Sequence, residues 1–244
     1  MSDEALLVVE EVHAAYQTGI DILQGLSLGV RPRSLTLVIG PNGAGKSTLL
    51  RAIFGFLKPH AGSIRFRGEP ISALDPFEVK ARGIGYVPQE INTFPHLTVE
   101  ENLRMGGWIL RRDKARLQRQ LARVYEIFPP LAERRRTRAS DLSGGQGRML
   151  SVAREMMTEP ALMLVDEPTA GLAPNLVDQV YALLMTARQS IGSTILLVDQ
   201  NIEQAVAHAD HVYMANLGRI KAEGPARDFP PERIASLIQE CLLG

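Results

Sequence analysis

The strongest indication of the fold is the run Gly40-Pro41-Asn42-Gly43-Ala44-Gly45-Lys46-Ser47-Thr48. This stretch fits the pattern of a glycine, four residues, then Gly-Lys-Ser/Thr, which is typical of a phosphate-binding loop. An apolar run rich in strand-forming residues, 35–39, precedes it. Apolar residues recur at helical spacing over 49–57 after it. The sequence therefore predicts a phosphate loop that connects a buried strand to a helix.

The residue types in this loop indicate its chemistry. Gly43 and Gly45 allow the backbone to turn so that its N–H groups point inward and form an anion nest at a helix N-terminus. Lys46 would place a cation against the β- and γ-phosphates of a nucleotide, and Ser47 would offer a hydroxyl to Mg²⁺. We expect this loop to hold the phosphates of a nucleotide with its metal ion.

Composition limits the class of protein. The chain has 244 residues, 45% of them hydrophobic, which is enough for one large domain or two small ones with a proper core. It has 27 basic and 27 acidic residues, so no basic excess suggests nucleic acid as a partner. The single cysteine, Cys241, excludes an intrachain disulfide and fits a reducing compartment. No apolar run approaches the about 20 residues that a membrane span needs, so we expect a cytoplasmic protein whose membrane role depends on a separate subunit.

Local patterns predict an α/β core that is interrupted by a helical insertion. Strands are predicted at 6–11, 26–30, 35–39, 63–67, 83–87, 161–165 and 194–198. The sequence pattern becomes helical from about 98 to 158, and Thr98 and Glu101 at its start form the pattern of a capping box. One further helix is predicted from the apolar face formed by Leu110, Leu117, Leu121, Val124 and Phe128.

The opposite face of that predicted helix is strongly basic. It carries Arg111, Arg112, Lys114, Arg116, Arg119 and Arg123. The simplest interpretation is a solvated helix face, and the alternative is a contact with anionic lipid or with a loop of a partner protein.

A pair of carboxylates ends the predicted strand 161–165. A buried parallel strand would deliver Asp166 and Glu167 to the carboxyl edge of the sheet, where ligands bind. Asp166 is suited to hold Mg²⁺ through water, and Glu167 is suited to orient the attacking water or accept its proton. Strands often end in an acidic turn, so this pair indicates a functional site only in combination with the phosphate loop upstream.

A second glycine-containing helix start follows at Leu142-Ser143-Gly144-Gly145-Gln146. Ser143 is able to cap the helix that follows, and the glycine pair allows another backbone to approach closely. By itself this stretch would be a helix cap with a flexible glycine pair. In combination with the phosphate loop, this helix start would form a second phosphate-binding site. Because one nucleotide needs only one phosphate loop, this second site suggests that each nucleotide is held by two chains.

The order of these motifs, with Gln89 between the first and the others, resembles the ATP-binding cassette family of transporter ATPases over essentially the whole chain. The resemblance implies an α/β fold: a phosphate-loop NTPase (RecA-like) core with an antiparallel β-subdomain and a helical subdomain. Residues 1–244 would form a single domain, with the helical subdomain inserted at about 90–158. The resemblance also implies a head-to-tail dimer with two ATP molecules at its interface.

The resemblance assigns a role to each motif residue. Tyr16 would stack on adenine, and Gln89 would reach Mg²⁺ and the attacking water. Glu167 would be the catalytic base, and Ser47, Gln89 and Asp166 would surround the metal ion. The residues implied to contact ATP, besides Tyr16, are Gly40, Pro41, Asn42, Gly43, Ala44, Gly45, Lys46, Ser47, Thr48 and, from the opposite subunit, Ser143, Gly144, Gly145 and Gln146.

Two positions depart from the common pattern of the family. Gln200 stands where a histidine usually touches the γ-phosphate, and Ala173 stands where many members carry an aspartate. Because glutamine keeps an amide donor, we expect Gln200 to contact the γ-phosphate as a catalytic residue beside Glu167 and Gln89. These departures and three runs resemble the shorter ATPase of branched-chain amino acid importers, the Liv type, whose relatives serve amides and urea. The runs are 100–106, 148–154 and 171–174.

The Liv-type resemblance implies the setting of the protein. The chain would be peripheral, at the cytoplasmic face of the inner membrane, and would bind two transmembrane permease subunits. It would pair with a sister ATPase or with itself, and a periplasmic binding protein would supply cargo indirectly. The alternatives are an export or lipopolysaccharide-extraction ATPase and a non-transport cassette protein acting on DNA or ribosomes. Non-transport members usually carry tandem cassettes or a long coiled-coil insertion, and this sequence has neither.

Overall fold

The computed structural model describes residues 5–17, 19–172 and 174–243. The strands are β1 (Leu7–Ala14), β2 (Leu23–Val30), β3 (Leu35–Ile39), β4 (Ala61–Phe66), β5 (Glu69–Pro70), β6 (Ile84–Val87), β7 (Leu162–Asp166), β8 (Thr194–Val198), β9 (His211–Asn216) and β10 (Arg219–Pro225). The helices are α1 (Lys46–Ile53), α2 (Pro76–Ala81), α3 (Val99–Gly106), α4 (Lys114–Ile127), α5 (Pro129–Glu133), α6 (Gly144–Met156), α7 (Pro174–Ile191), α8 (Ile202–His208) and α9 (Pro231–Leu243).

A six-stranded sheet forms the centre of the molecule, in the order β10-β9-β3-β8-β7-β6. Neighbouring strands of this sheet run parallel, except that β10 runs antiparallel to β9. Every residue of β3, β7 and β8 is buried, as expected for parallel strands covered on both faces. The predicted α/β core is therefore confirmed.

A second sheet is antiparallel, in the order β2-β1-β4-β5. It shares one hydrophobic core with α1 and with one face of the central sheet, which contributes Leu164 and Leu196. The opposite face, including Val165 and Leu197, packs against helices that include α3, α4, α6 and α7. Successive residues of β7 and β8 thus fill two different cores, because side chains alternate across a strand.

Several boundaries differ from the sequence prediction. The helix predicted over 49–57 is α1, Lys46–Ile53, which starts inside the phosphate-loop motif and stops before Gly55, whose φ is +84°. The strand predicted at 6–11 continues to Ala14, because a bulge with Glu11 at φ +46° interrupts its alternation. The strand predicted from 26 begins three residues earlier, at Leu23.

The helical insertion lies between β6 and β7. The capping box of Thr98 and Glu101 at the start of α3 is confirmed. The helix predicted from Leu110 begins only at α4, because Asp113 caps Lys114–Ile127 and Leu110 belongs to a separate 3₁₀ turn. Across the described ranges, no helix combines the length and the apolar character that crossing a bilayer requires.

The basic face of α4 is partly engaged within the chain. Arg116 and Arg123 both form ion pairs with Glu159, and the Arg111 guanidinium lies 5.1 Å from the centre of the Trp108 ring. This agrees with a solvated face held by surface ion pairs, and a contact with lipid or a partner loop stays a hypothesis.

Candidate active site

The phosphate loop, Gln89, the pair Asp166 and Glu167, and Gln200 all follow strands that end at one edge of the central sheet. Val87 pairs with Val165, so Gln89 follows β6 beside the end of β7. Val198 pairs with Asp166 on one side and with Val38 on the other. The loops after β3, β8, β7 and β6 therefore meet, because the carboxyl ends of parallel strands share one edge.

The phosphate loop follows β3 and is held by the turn between β9 and β10. Gly43 and Gly45 adopt φ values of +83° and +95°, and Gly45 is the N-cap of α1. A Cβ atom at Gly40 would lie 2.1 Å from the carbonyl oxygen of Ala215, and the Gly218 amide donates to the Ala44 carbonyl at 3.0 Å. The glycines thus permit a tight turn at the start of a helix, as the sequence predicted.

Lys46 is enclosed in this loop, with only 5% of the residue exposed. Its Nζ donates to the carbonyl oxygens of Gly40 (2.8 Å) and Pro41 (3.1 Å). Burial lowers the pKa of Lys46, and the carboxylates of Glu167 and Asp166 partly oppose this shift. The Lys46 cation is therefore under the electrostatic influence of both the predicted base, Glu167, and the predicted metal-holding residue, Asp166.

Asp166 receives a hydrogen bond on each of its oxygens. Ser47 Oγ donates to Oδ1 at 2.8 Å, and the Tyr86 hydroxyl donates to Oδ2 at 2.9 Å. Burial and the Asp166 charge both raise the pKa of Tyr86, which keeps its hydroxyl a donor. The structure thus brings Ser47 and Asp166, from α1 and β7, into direct contact.

The oxygen atoms of Ser47 and Asp166 are the kind of ligand that Mg²⁺ prefers. Among the residues that the structure describes, no three His, Cys, Asp or Glu side chains are grouped as a metal site. This pair therefore fits a Mg²⁺ ion that takes most of its ligands from nucleotide phosphates and water rather than from a protein cage.

Glu167 follows β7 in a backbone conformation that is uncommon for its residue type. Its φ is +41°, and its amide donates to the Val198 carbonyl at 2.8 Å. Its Oε2 accepts a hydrogen bond from Gln200 Nε2 at 2.6 Å. Residues held with positive φ cost free energy and concentrate at functional sites, so this geometry agrees with a positioned catalytic group.

Tyr16 and Gln89 lie at the rim of the site. Tyr16 is 53% exposed, and its hydroxyl accepts a hydrogen bond from Arg51 at 3.1 Å. Gln89 is exposed, and its backbone carbonyl accepts from Arg148 at 2.7 Å. Both side chains are accessible, and their contacts with adenine, metal and water stay predictions.

The second glycine motif starts α6, in the helical insertion. Ser143 and Gln146 form a capping box with each other, so the predicted helix cap is confirmed. Cβ atoms added at Gly144 and Gly145 would meet nothing within 4 Å, and neither residue has a positive φ. Packing against the residues that the structure describes therefore does not require these glycines. The departure at Ala173 lies outside the described residues.

Sequence reasoning missed three polar residues of the site. They are Tyr86, Asp199 and Arg148. Tyr86 is a polar residue inside the buried strand β6, and Asp199 directly follows the buried strand β8. A polar side chain at such a position needs a hydrogen-bond partner, and this is the sequence signal that could have identified both residues. Their partners are 80 residues away for Tyr86 and 30 residues away for one partner of Asp199, which local patterns do not reveal.

Comparison with known proteins agrees with this geometry. The family model described as ABC transporter matches residues 23–170. The chain is 41% identical to the high-affinity branched-chain amino acid transport ATP-binding protein BraG of Pseudomonas aeruginosa, over 85% of this chain and 88% of that protein. It is 34% identical to the probable branched-chain amino acid transport ATP-binding protein LivF of Archaeoglobus fulgidus, over 92% of this chain and 94% of that protein. The crystal structure of a nucleotide-free ATP-binding cassette from an ABC transporter superposes with a TM-score of 0.80 at 30% identity, covering 98% of this chain and 99% of that one.

Proposed function

Because this chain belongs to the ABC transporter family and is one of its ATPases, we propose that it energises an importer of branched-chain amino acids or of related amides or urea. The observation that carries the proposal is the meeting of the phosphate loop, Asp166 and Glu167 at one sheet edge, in a chain 41% identical to a branched-chain amino acid transport subunit. Residues 1–244 would act as a single ABC ATPase domain whose helical subdomain spans about 90–158.

One group of residues would bind the nucleotide, and a second group would carry out its hydrolysis. The loop 40–48 would hold the phosphates, with Lys46 neutralising their charge, while Tyr16 stacks on adenine. Glu167 would orient the attacking water and accept its proton, and the Gln200 amide would hold the Glu167 carboxylate in place. Gln89 would approach the same water from the end of β6.

Ser47, Asp166 and Gln89 would hold the Mg²⁺ ion. When bound, the ion supplies positive charge that stabilises the phosphate oxygens as negative charge develops on them. The hydrogen bond between Ser47 and Asp166 holds the two oxygen atoms that would face the ion next to each other.

The start of α6 supports a head-to-tail dimer. The exposed helix end at Ser143, with glycines that no internal contact requires, is suited to approach the γ-phosphate of a nucleotide held by another subunit. The partner would be a sister ATPase or a second copy of this chain, with Gly144, Gly145 and Gln146 completing the contact.

Exposed apolar side chains in the helical insertion support a contact with the permease. Ile91, Phe94, Met105 and Trp108 all have large exposed fractions, and they belong to the segment after Gln89 and to the first turns of the helical insertion. Asn102 is fully buried and bonds to both the amide and the carbonyl of Phe94. The backbone is thus fixed while the Phe94 ring stays 42% exposed, which suits a groove that receives a cytoplasmic helix of a permease subunit.

We expect Phe94→Ala to uncouple transport from hydrolysis. The isolated subunit should keep its ATPase activity because Phe94 contacts Asn102 and Arg154 of the helical insertion, whereas cargo uptake by the assembled transporter should fall. Phe77→Ala is the matched control, since Phe77 is 59% exposed but lies on α2. Equal loss of both activities in Phe94→Ala would show that the ring only packs locally.

We expect Gln200→Ala to slow hydrolysis by about 10–150-fold with a modest effect on ATP affinity, because one hydrogen bond to a charged group contributes about 1.5–3 kcal/mol. Gln200→His should retain activity and add a pH dependence near the ordinary pKa of histidine, about 6.5, since a glutamine amide does not titrate. ATP turnover of the assembled transporter is the measurement. Turnover of Gln200→Ala equal to that of the unmodified protein would contradict this role.

Reconstitution tests the transport function directly. The chain is assembled with its cognate permeases and periplasmic binding protein in vesicles, and ATP-dependent uptake of radiolabelled leucine, urea and a short aliphatic amide is compared. Uptake of one of these supports the proposal. ATP-dependent movement in the outward direction would favour the export alternative, and ATPase activity that responds to DNA or ribosomes would favour the non-transport alternative.

A further inference from the structure

Asp199 is a buried carboxylate to which no role has yet been assigned. It directly follows β8, and only 1% of the residue is exposed. Its Oδ1 accepts hydrogen bonds from Thr169 Oγ1 (2.7 Å), the Gln200 amide (2.7 Å) and the Asn201 amide (3.1 Å). Its Oδ2 accepts from the Tyr181 hydroxyl at 2.9 Å. Four donors thus satisfy this carboxylate, as a buried charge requires.

These bonds tie together two loops of the active-site edge. Thr169 belongs to the loop after β7, two residues beyond Glu167, and Gln200 belongs to the loop after β8. Asn201 Nδ2 closes the group by donating to Thr169 Oγ1 at 2.7 Å. Because Asp199 holds the Gln200 backbone amide, it sets the point from which the Gln200 side chain reaches Glu167 at 2.6 Å.

The electrostatic influence of Asp199 extends to the segment after β6. Arg148 is buried, and its guanidinium donates to the carbonyls of Pro88 (3.2 Å) and Gln89 (2.7 Å). Burial lowers the pKa of Arg148, and the charge of Asp199 partly opposes this shift. The charge of Asp199 therefore favours the charged form of Arg148, the residue whose guanidinium holds the carbonyls after β6.

We propose that Asp199 is a positioning residue for ATP hydrolysis, which joins the loops after β7 and β8 so that the Gln200 amide stays on the Glu167 carboxylate. The proposal rests on the proposed roles of Gln200 and Glu167. Asp199 acts through Gln200, and its carboxylate is already occupied by four donors of the protein itself.

The first test is Asp199→Asn, measured as steady-state ATP turnover of the assembled transporter. Asparagine keeps the size of the side chain and one accepting oxygen for Thr169 and the Gln200 amide, but it removes the negative charge, so these bonds lose their charge assistance and weaken. We expect kcat to fall by about tenfold or more, because the bonds that join the two loops are weakened, while the KM for ATP changes by less than about twofold. An unchanged kcat, or a KM that rises in step with the loss of kcat, overturns the proposal.

A double-mutant cycle separates positioning through Gln200 from a general structural role. If Asp199 acts through Gln200, the combination of Asp199→Asn with Gln200→Ala should lose no more than the larger of the two single losses. Losses that multiply overturn the proposal. The matched control is Asp210→Asn, because Asp210 also accepts a backbone amide bond at a strand end, from Leu35 at 2.7 Å, but at the opposite edge of the sheet. It should leave kcat and KM unchanged.

Thr169→Val provides a second test of the proposal if the Asp199→Asn protein does not fold or does not assemble with the transporter. It removes the hydroxyl that bonds to Asp199 while keeping the shape of the side chain, and we expect kcat to fall with little change in KM. If Gln200→Ala alone leaves kcat unchanged, the proposed role of Gln200 fails and the positioning role fails with it. If Gln200→Ala slows turnover but Asp199→Asn and Thr169→Val do not, only the positioning role fails.

Discussion

Lys46→Ala is expected to abolish measurable ATP turnover and to weaken ATP binding. Lys46 is enclosed by the phosphate loop and lies within the field of Asp166 and Glu167, so its loss removes the cation that would offset both those carboxylates and the phosphates. Each charge-assisted hydrogen bond to a phosphate contributes about 1.5–3 kcal/mol, so losing one weakens binding by about 10–150-fold. Nucleotide binding by calorimetry and turnover of the assembled transporter are the measurements.

Lys58→Ala is the control for this experiment. Lys58 is an exposed lysine that pairs with Asp75 at 3.1 Å, outside the phosphate loop, so its replacement should leave binding and turnover unchanged. Hydrolysis at an unchanged rate in Lys46→Ala would remove the assignment of residues 40–48 as the phosphate-binding loop.

Glu167→Gln is expected to trap the protein with ATP bound. The substitution keeps the length of the side chain and an oxygen that accepts from the Gln200 amide, but it removes the group that takes the proton. General-base catalysis contributes about 10²–10⁴-fold, so turnover should fall by that range while ATP binding is retained. Dimers should then accumulate with ATP and Mg²⁺, which size-exclusion chromatography measures.

Glu10→Gln is the comparison, because Glu10 pairs with Arg65 on the antiparallel sheet, away from the active-site edge. It should turn over ATP normally and form no additional dimer. Normal turnover by Glu167→Gln would refute its role as the base and would direct attention to Gln89.

Local patterns predicted those parts of the molecule that short stretches of chain specify. Strands β3, β7 and β8 were predicted because continuous apolar runs of strand-forming residues mark buried parallel strands. The capping box at Thr98 and the helix cap at Ser143 were predicted because the groups they bond lie only three residues away. Element ends were less accurate, since the bulge at Glu11 and the separate cap at Asp113 interrupt patterns that otherwise look continuous.

Local properties were enough to predict the phosphate loop and the carboxylates at the end of β7, because glycine conformation, helix capping and strand burial depend on short stretches of chain. Long-range folding is needed for Ser47 and Tyr86 to share Asp166, for Gln200 to bond to Glu167, and for Asp199 to join the loops after β7 and β8. These pairs lie 30 to 119 residues apart in the chain. They meet because the order β3-β8-β7-β6 and the register of its parallel strands bring four distant loops to one edge, which depends on how the whole chain packs.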